Sequence, residues 1–124
     1  MILVFGSNLA GRHGKGAALH AAKHFGAHEG VGEGMTGRSY AIPTKDERLR
    51  VRSWADVCNS VDRFLKFAAT HGKDETFLLT PIGCGLAGYN AANMWRFIQS
   101  CGVPINVVFT AHWSNDHMIA QEKP

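Results

Sequence analysis

A chain of 124 residues, 45% apolar and 19% charged, is long enough to bury one core of its own and too apolar to be a disordered tail. Its net charge of +3, with histidines neutral, suits an anionic ligand but is too small to argue for nucleic acid by itself. The three cysteines, Cys58, Cys84 and Cys101, show no CxxC spacing, which argues against a disulfide framework, and no apolar run approaches membrane-spanning length. The expected location is the cytoplasm.

Residues 1–5 (Met-Ile-Leu-Val-Phe) form a continuous apolar run of the kind a central parallel strand shows, and are too short for a signal-peptide core. They break at a glycine-rich loop, residues 6–16, which carries Gly6, Ser7, Asn8, Gly11, Arg12, His13, Gly14, Lys15 and Gly16. Ala18, Ala21, Ala22 and Phe25 then fall at helical spacing, closed by Gly26. Residues 28–37 hold Gly30, Gly32, Gly34 and Gly37 without apolar periodicity, so they read as an ordered loop or a mobile flap. A strand follows at 39–43, stopped by Pro43. Residues 44–52 are charged and read as a surface connection. There Arg48, Arg50 and Arg52 alternate, as on the solvent face of an edge strand or along a polyanion contact.

Ser53 and Asp56 have the spacing of a capping box. Trp54, Val57, Cys58, Val61, Phe64, Leu65 and Ala68 keep the rhythm of one buried helical face as far as Gly72. Residues 75–80 are a short apolar strand, and the loop after them places Gly83, Gly85 and Gly88 close together. Asn90 is a good N-cap for a helix built on Met94, Phe97, Ile98 and Cys101. Residues 105–109 form the last strand, and the polar stretch 111–124 reads as a loose tail.

This order predicts one domain over residues 1–124, with a three-layer α/β/α fold around a mostly parallel sheet. Twice a strand runs through a glycine turn into a helix, the arrangement that offers backbone N–H groups to an anion. Ligands of such sheets bind beyond the carboxyl ends of the strands. The rim there is expected to gather residues 6–8, 43–46, 81–85 and 110–113. It would bring N–H-rich loops together with the Asn8 amide, the Lys45 cation, the carboxylates of Asp46 and Glu47, and the rings of His112 and Trp113. That is equipment for a nucleotide.

With those residues assembled, the chain resembles a macro domain, the ADP-ribose-binding module. The run Ile82, Gly83, Cys84, Gly85, Leu86, Ala87, Gly88, Tyr89, Asn90 is similar to the family's phosphate loop. The match is nearest to the branch that removes terminal ADP-ribose from acidic side chains. Residues 8–16 resemble the loop that holds the distal ribose, and residues 42–45 the strand end that presents that branch's catalytic lysine. The resemblance spans about residues 1–110 and extends to short macro-like proteins of bacteriophages, which would place the chain in a host cytoplasm. It implies an ADP-ribose-type ligand or ADP-ribosylated substrate as partner, with no membrane, cofactor or metal.

Two departures bear on chemistry. Ala87 stands where the hydrolytic branch has an aspartate, leaving Asp46 beside Lys45 as the substitute carboxylate. The strand whose aspartate reads the adenine amino group has no counterpart, so Trp113, with His112 second, is expected to stack on the base, or else Trp113 caps the core. Lys45 admits three readings: a nucleophile at the anomeric carbon, a phosphate-pairing cation, or a surface lysine. Cys84 reads as a packing thiol beneath the loop, with an activated nucleophile as the alternative. His20 and His24, one helical turn apart, read as solvated helix histidines rather than a metal pair, and Arg12, His13 and Lys15 as a loop suited to phosphate contact or a merely soluble one. Two functions follow: an ADP-ribosyl hydrolase or phosphoesterase, and a module that sequesters an ADP-ribose-derived signal without turnover. A weaker third is a binder of RNA or single strands through residues 45–52 and Trp113.

Overall fold

A computed structural model describes residues 1–85 and 87–113. Leu86, and most of the stretch read as a loose tail, lie outside the described residues. The elements run β1 (Ile2–Asn8), α1 (Gly16–His24), β2 (Gly34–Thr36), β3 (Ser39–Lys45), α2 (Trp54–Thr70), β4 (Phe77–Leu79), α3 (Ala91–Cys101) and β5 (Val107–Phe109), with a 3-10 turn at Ala111–Trp113. The five strands lie in the order β2-β3-β1-β4-β5. All pairings are parallel except that of β2 with β3. Among the described residues no helix is long and apolar enough to cross a membrane.

Strand alternation divides the core between the two faces of the sheet. Ile2, Val4, Tyr40, Ile42, Phe77 and Leu79 pack against α2 and α3, through Val57, Val61, Phe64, Met94 and Ile98. Leu3, Phe5 and Ala41 face α1, where Ala18 and Ala21 let the helix sit close. This is the three-layer α/β/α arrangement expected from the patterns. Both predicted caps form: Ser53 Oγ accepts from Asp56 N at 3.1 Å, and Asn90 Oδ1 from Asn93 N at 3.0 Å.

Three local expectations need correction. The glycine-rich stretch 28–37 is ordered and contributes β2, an antiparallel edge strand too short for any alternation to register. Pro43 does not stop β3, which continues to Lys45. The ladder with β2 ends at Ala41, so a missing N–H beyond it breaks no pairing on that side. Of residues 44–52, the first two belong to β3 and the rest are not an edge strand but a reversal closed by a Lys45–Val51 bridge.

That reversal is held by Asp46, whose Oδ1 accepts from Arg48 N at 2.8 Å and Arg50 N at 2.9 Å. It places Leu49 at φ 63°, with the side chain 45% exposed. A left-handed conformation costs a residue with a Cβ roughly 1–2 kcal/mol, and asparagine tolerates it better. Leu49→Asn is therefore expected to raise stability by about 0.5–1 kcal/mol, read as a higher urea midpoint. A lowered midpoint would mean that the Leu49 side chain contributes more than its conformation costs.

Candidate functional site

The carboxyl ends of β1 and β3 and the loop after β4 converge. A Cβ on Gly6 would lie 3.3 Å from Gly83 N, and one on Gly83 would lie 2.8 Å from Cδ2 of Tyr89 and 3.2 Å from the Thr44 methyl. Gly83 also takes φ 73°, so glycine is required there on both counts. The loop is closed by its own backbone: Ile82 N donates to Thr80 O, Cys84 N to Pro81 O, Gly88 N to Gly85 O and Tyr89 N to Gly83 O. The N–H groups of Gly83, Gly85 and Ala87 have no acceptor among the described residues. Tyr89 anchors the far end by donating its hydroxyl to Arg52 O. Gly85 is exposed, and a Cβ there would meet nothing within 4 Å.

The first glycine loop is built differently. The Asn8 side chain, expected to reach a ribose, closes its own loop: Oδ1 accepts from Arg12 N at 3.0 Å and Nδ2 donates to Arg12 O at 2.8 Å. His13 is not a surface phosphate contact but is buried, at 1% exposure, edge-on to Phe5. Its backbone N–H donates to Glu29 and its Nε2 bonds His28 O at 2.9 Å. Residues 28–32 thus form a flap on this loop, reinforced by Gly30 N donating to Gly11 O at 2.9 Å and Ser7 Oγ donating to Gly32 O. Arg12, Gly14, Lys15 and Gly16 remain exposed. The start of α1 has no side-chain cap and no acidic residue in its first turn.

Lys45 is half-buried in register with Asn8, beside a register shift where β3 carries one extra residue, Thr44, and its carbonyl accepts from Leu9 N at 2.9 Å. Asp46, expected as its catalytic partner, spends Oδ1 on the backbone N–H groups of Arg48 and Arg50. The carboxylate is committed to the turn, and the backbone hydrogen bond from Arg50 leads the causes that hold its pKa below the usual value.

Cys84 is half-buried, and burial raises its thiol from 9.0 to about 11. It donates weakly to Ile82 O at 3.4 Å. Half-burial, the bond to Ile82 O and the raised thiol favour the packing reading over the activated nucleophile. Because the folded pKa is raised, its contribution to stability is present below pH 9.0 and is lost as pH rises towards about 11. Iodoacetamide at pH 8 is expected to label exposed Cys101 and spare Cys84 in the folded chain, by peptide mass mapping. Labelling of Cys84 at the rate of Cys101 would restore the nucleophile.

Trp113 does not stand on the rim. It is 3% exposed, donates Nε1–H to Leu79 O at 2.7 Å, and packs on Trp95 and Phe109. His112 is exposed, with Nδ1 3.1 Å from Thr110 Oγ1. His20 and His24 stand one turn apart on α1 with their rings tilted and ring centroids 4.7 Å apart. Among the described residues no group of three or more His, Cys, Asp or Glu is placed to hold a metal.

Two residues at the site had no role of their own in the sequence reading, although Thr44 lay within the expected rim segment 43–46. Thr44 packs its methyl against the Gly6–Gly83 approach and donates to Ser7 O at 3.3 Å. Arg52, read as one of an alternating set, turns inward to Pro43 O at 2.6 Å and Ser60 Oγ at 3.0 Å. Only its odd place just before a helix cap set it apart in the sequence.

No protein-family model matches the chain, and no curated protein matches it in sequence. Among solved structures, a protein of unknown function from Bacteroides thetaiotaomicron has a similar fold, with a TM-score of 0.58 and 18% identity over 88% of each chain.

Proposed function

We propose that the cleft at the carboxyl end of β1 binds an ADP-ribosyl nucleotide and captures it without turnover. The observation that carries this reading is the loop after β4, where alternate N–H groups close the turn while those of Gly83, Gly85 and Ala87 have no acceptor among the described residues. A pyrophosphate is the ligand group that such donors suit. Exposed Arg12 and Lys15, and the uncapped start of α1, add positive potential nearby.

Capture is favoured over hydrolysis by the commitment of Asp46 to its turn, by Ala87 where a catalytic carboxylate would stand, and by the raised thiol of Cys84. Hydrolysis through Lys45 is the second reading, favoured by its half-buried place beside the register shift in β3. Calorimetry against ADP-ribose, with the same mixture resolved by thin-layer chromatography, separates the two. Product formation that Lys45→Arg abolishes would replace capture with nucleophilic hydrolysis.

Gly85→Val is the sharpest probe of the loop. Gly85 does not take a positive φ, and its Cβ position is open, so the fold tolerates the side chain while a phosphate approaching the backbone does not. Affinity for ADP-ribose is expected to fall about tenfold or more, roughly 1.4 kcal/mol, with an unchanged melting temperature. Full affinity in the folded variant would exclude this loop as the phosphate site.

A further inference from the structure

Arg52 makes four hydrogen bonds to three different parts of the cleft's surroundings. Its N–H donates to Thr44 O at 2.9 Å and its carbonyl accepts the Tyr89 hydroxyl. The two hydrogens of Nη1 go to Pro43 O at 2.6 Å and Ser60 Oγ at 3.0 Å. Ser60, fully buried on α2, then uses its whole hydrogen-bonding capacity. It accepts from Arg52 and from Arg63 Nη2 at 2.9 Å, and donates to Glu33 Oε1 at 3.4 Å. Arg63 grips Glu33 in a bidentate pair at 2.9 and 3.1 Å. Glu33 follows directly on the flap, residues 28–32, which is bonded to the first glycine loop at Gly11, His13 and Ser7.

One continuous network therefore joins the loop after β4 to the flap, through Tyr89, Arg52, Ser60 and Glu33. We propose that Arg52 is a positioning residue of the candidate site, holding the phosphate loop through Tyr89 and the flap through Ser60 and Glu33, so that the two walls of the cleft order and loosen together. Lysine cannot replace it fully, because its ammonium is a compact tetrahedral charge on a flexible stem and lacks the planar guanidinium that presents two fixed N–H groups to Pro43 O and Ser60 Oγ. The coupling stands on these hydrogen bonds alone; its effect on nucleotide affinity rests on the reading given above.

The test is amide hydrogen exchange on the full chain, read across the cleft from each substitution. Tyr89→Phe removes one hydroxyl at the loop and is read at residues 28–33. Glu33→Gln weakens the ion pair at the flap and is read at residues 82–89. Each is expected to raise exchange at the remote segment about threefold or more, with β1 unchanged; Arg52→Met, which removes the guanidinium but keeps the carbonyl that Tyr89 bonds, should raise residues 28–33 about tenfold and residues 82–89 about threefold. Arg52→Lys should recover part of that loss. If either single-site variant leaves the remote segment unchanged, or if β1 loosens equally, the coupling is overturned, and neither outcome depends on any ligand. A calorimetric arm with ADP-ribose should show Glu33→Gln weakening binding about threefold, the size of a fraction of one charged hydrogen bond. No binding by the parent chain would sink the nucleotide reading and leave the exchange result standing.

Discussion

Trp113→Ala is expected to cost about 3–5 kcal/mol, the range for removing a well-packed aromatic side chain from a core. Trp113 is 3% exposed, and its ring lies 5.4 Å from Phe109 and 6.0 Å from Trp95, centroid to centroid. Alanine would leave a cavity there and strip the indole donor from Leu79 O, at the end of the strand that leads into the glycine loop after β4. The loss should appear as a lower urea midpoint with little change in slope. Under conditions where the variant stays folded, ADP-ribose and ribose 5-phosphate should be affected alike, because the indole reaches neither. A wild-type midpoint with a loss confined to ADP-ribose would return Trp113 to the base-stacking role that its position in the chain suggested.

Gly11→Ala is expected to be nearly as damaging, at about 2–4 kcal/mol from left-handed strain and overpacking combined. Gly11 takes φ 70°, and a Cβ would lie 2.4 Å from the carbonyl carbon of Gly30. The obstacle is the flap's main chain, which cannot rotate away as a side chain would. Gly14→Ala is the matched control: no positive φ is required there, and nothing lies within 4 Å of its Cβ position. Thermal unfolding of the pair should separate them by several degrees. Equal melting temperatures would mean that the flap yields easily, and that its contact with the first glycine loop is loose in solution.

Periodicity and punctuation in the sequence determined the layers. The apolar runs at 1–5 and 75–80, the face of α2 built on Val57, Val61, Phe64 and Leu65, and the caps Ser53 and Asn90 are local signals whose tertiary consequence is simple burial. Clustered glycines marked the turns where the chain would bend sharply, and Gly11 and Gly83 do meet backbone or ring where a Cβ would stand. The length of the three-residue β2 was beyond reach, because a strand that short has no readable alternation.

What each polar side chain does was decided only by the tertiary structure. Asn8, His13, Asp46 and Arg52 carry the right chemistry for a nucleotide site, yet Asn8 and Asp46 close local turns, while His13 and Arg52 bond to segments 15, 9 and 8 residues away. Sequence states the donors and acceptors a residue owns; folding decides which partner takes them first. Trp113 shows the same division for apolar surface: its position beyond β5 put it near the rim, and the vacancy beside Trp95 and Phe109 drew it into the core. The loop after β4 is the converse case, since the backbone hydrogen bonds that close its turns lie within residues 80–89, although Tyr89 is anchored from outside by Arg52 O.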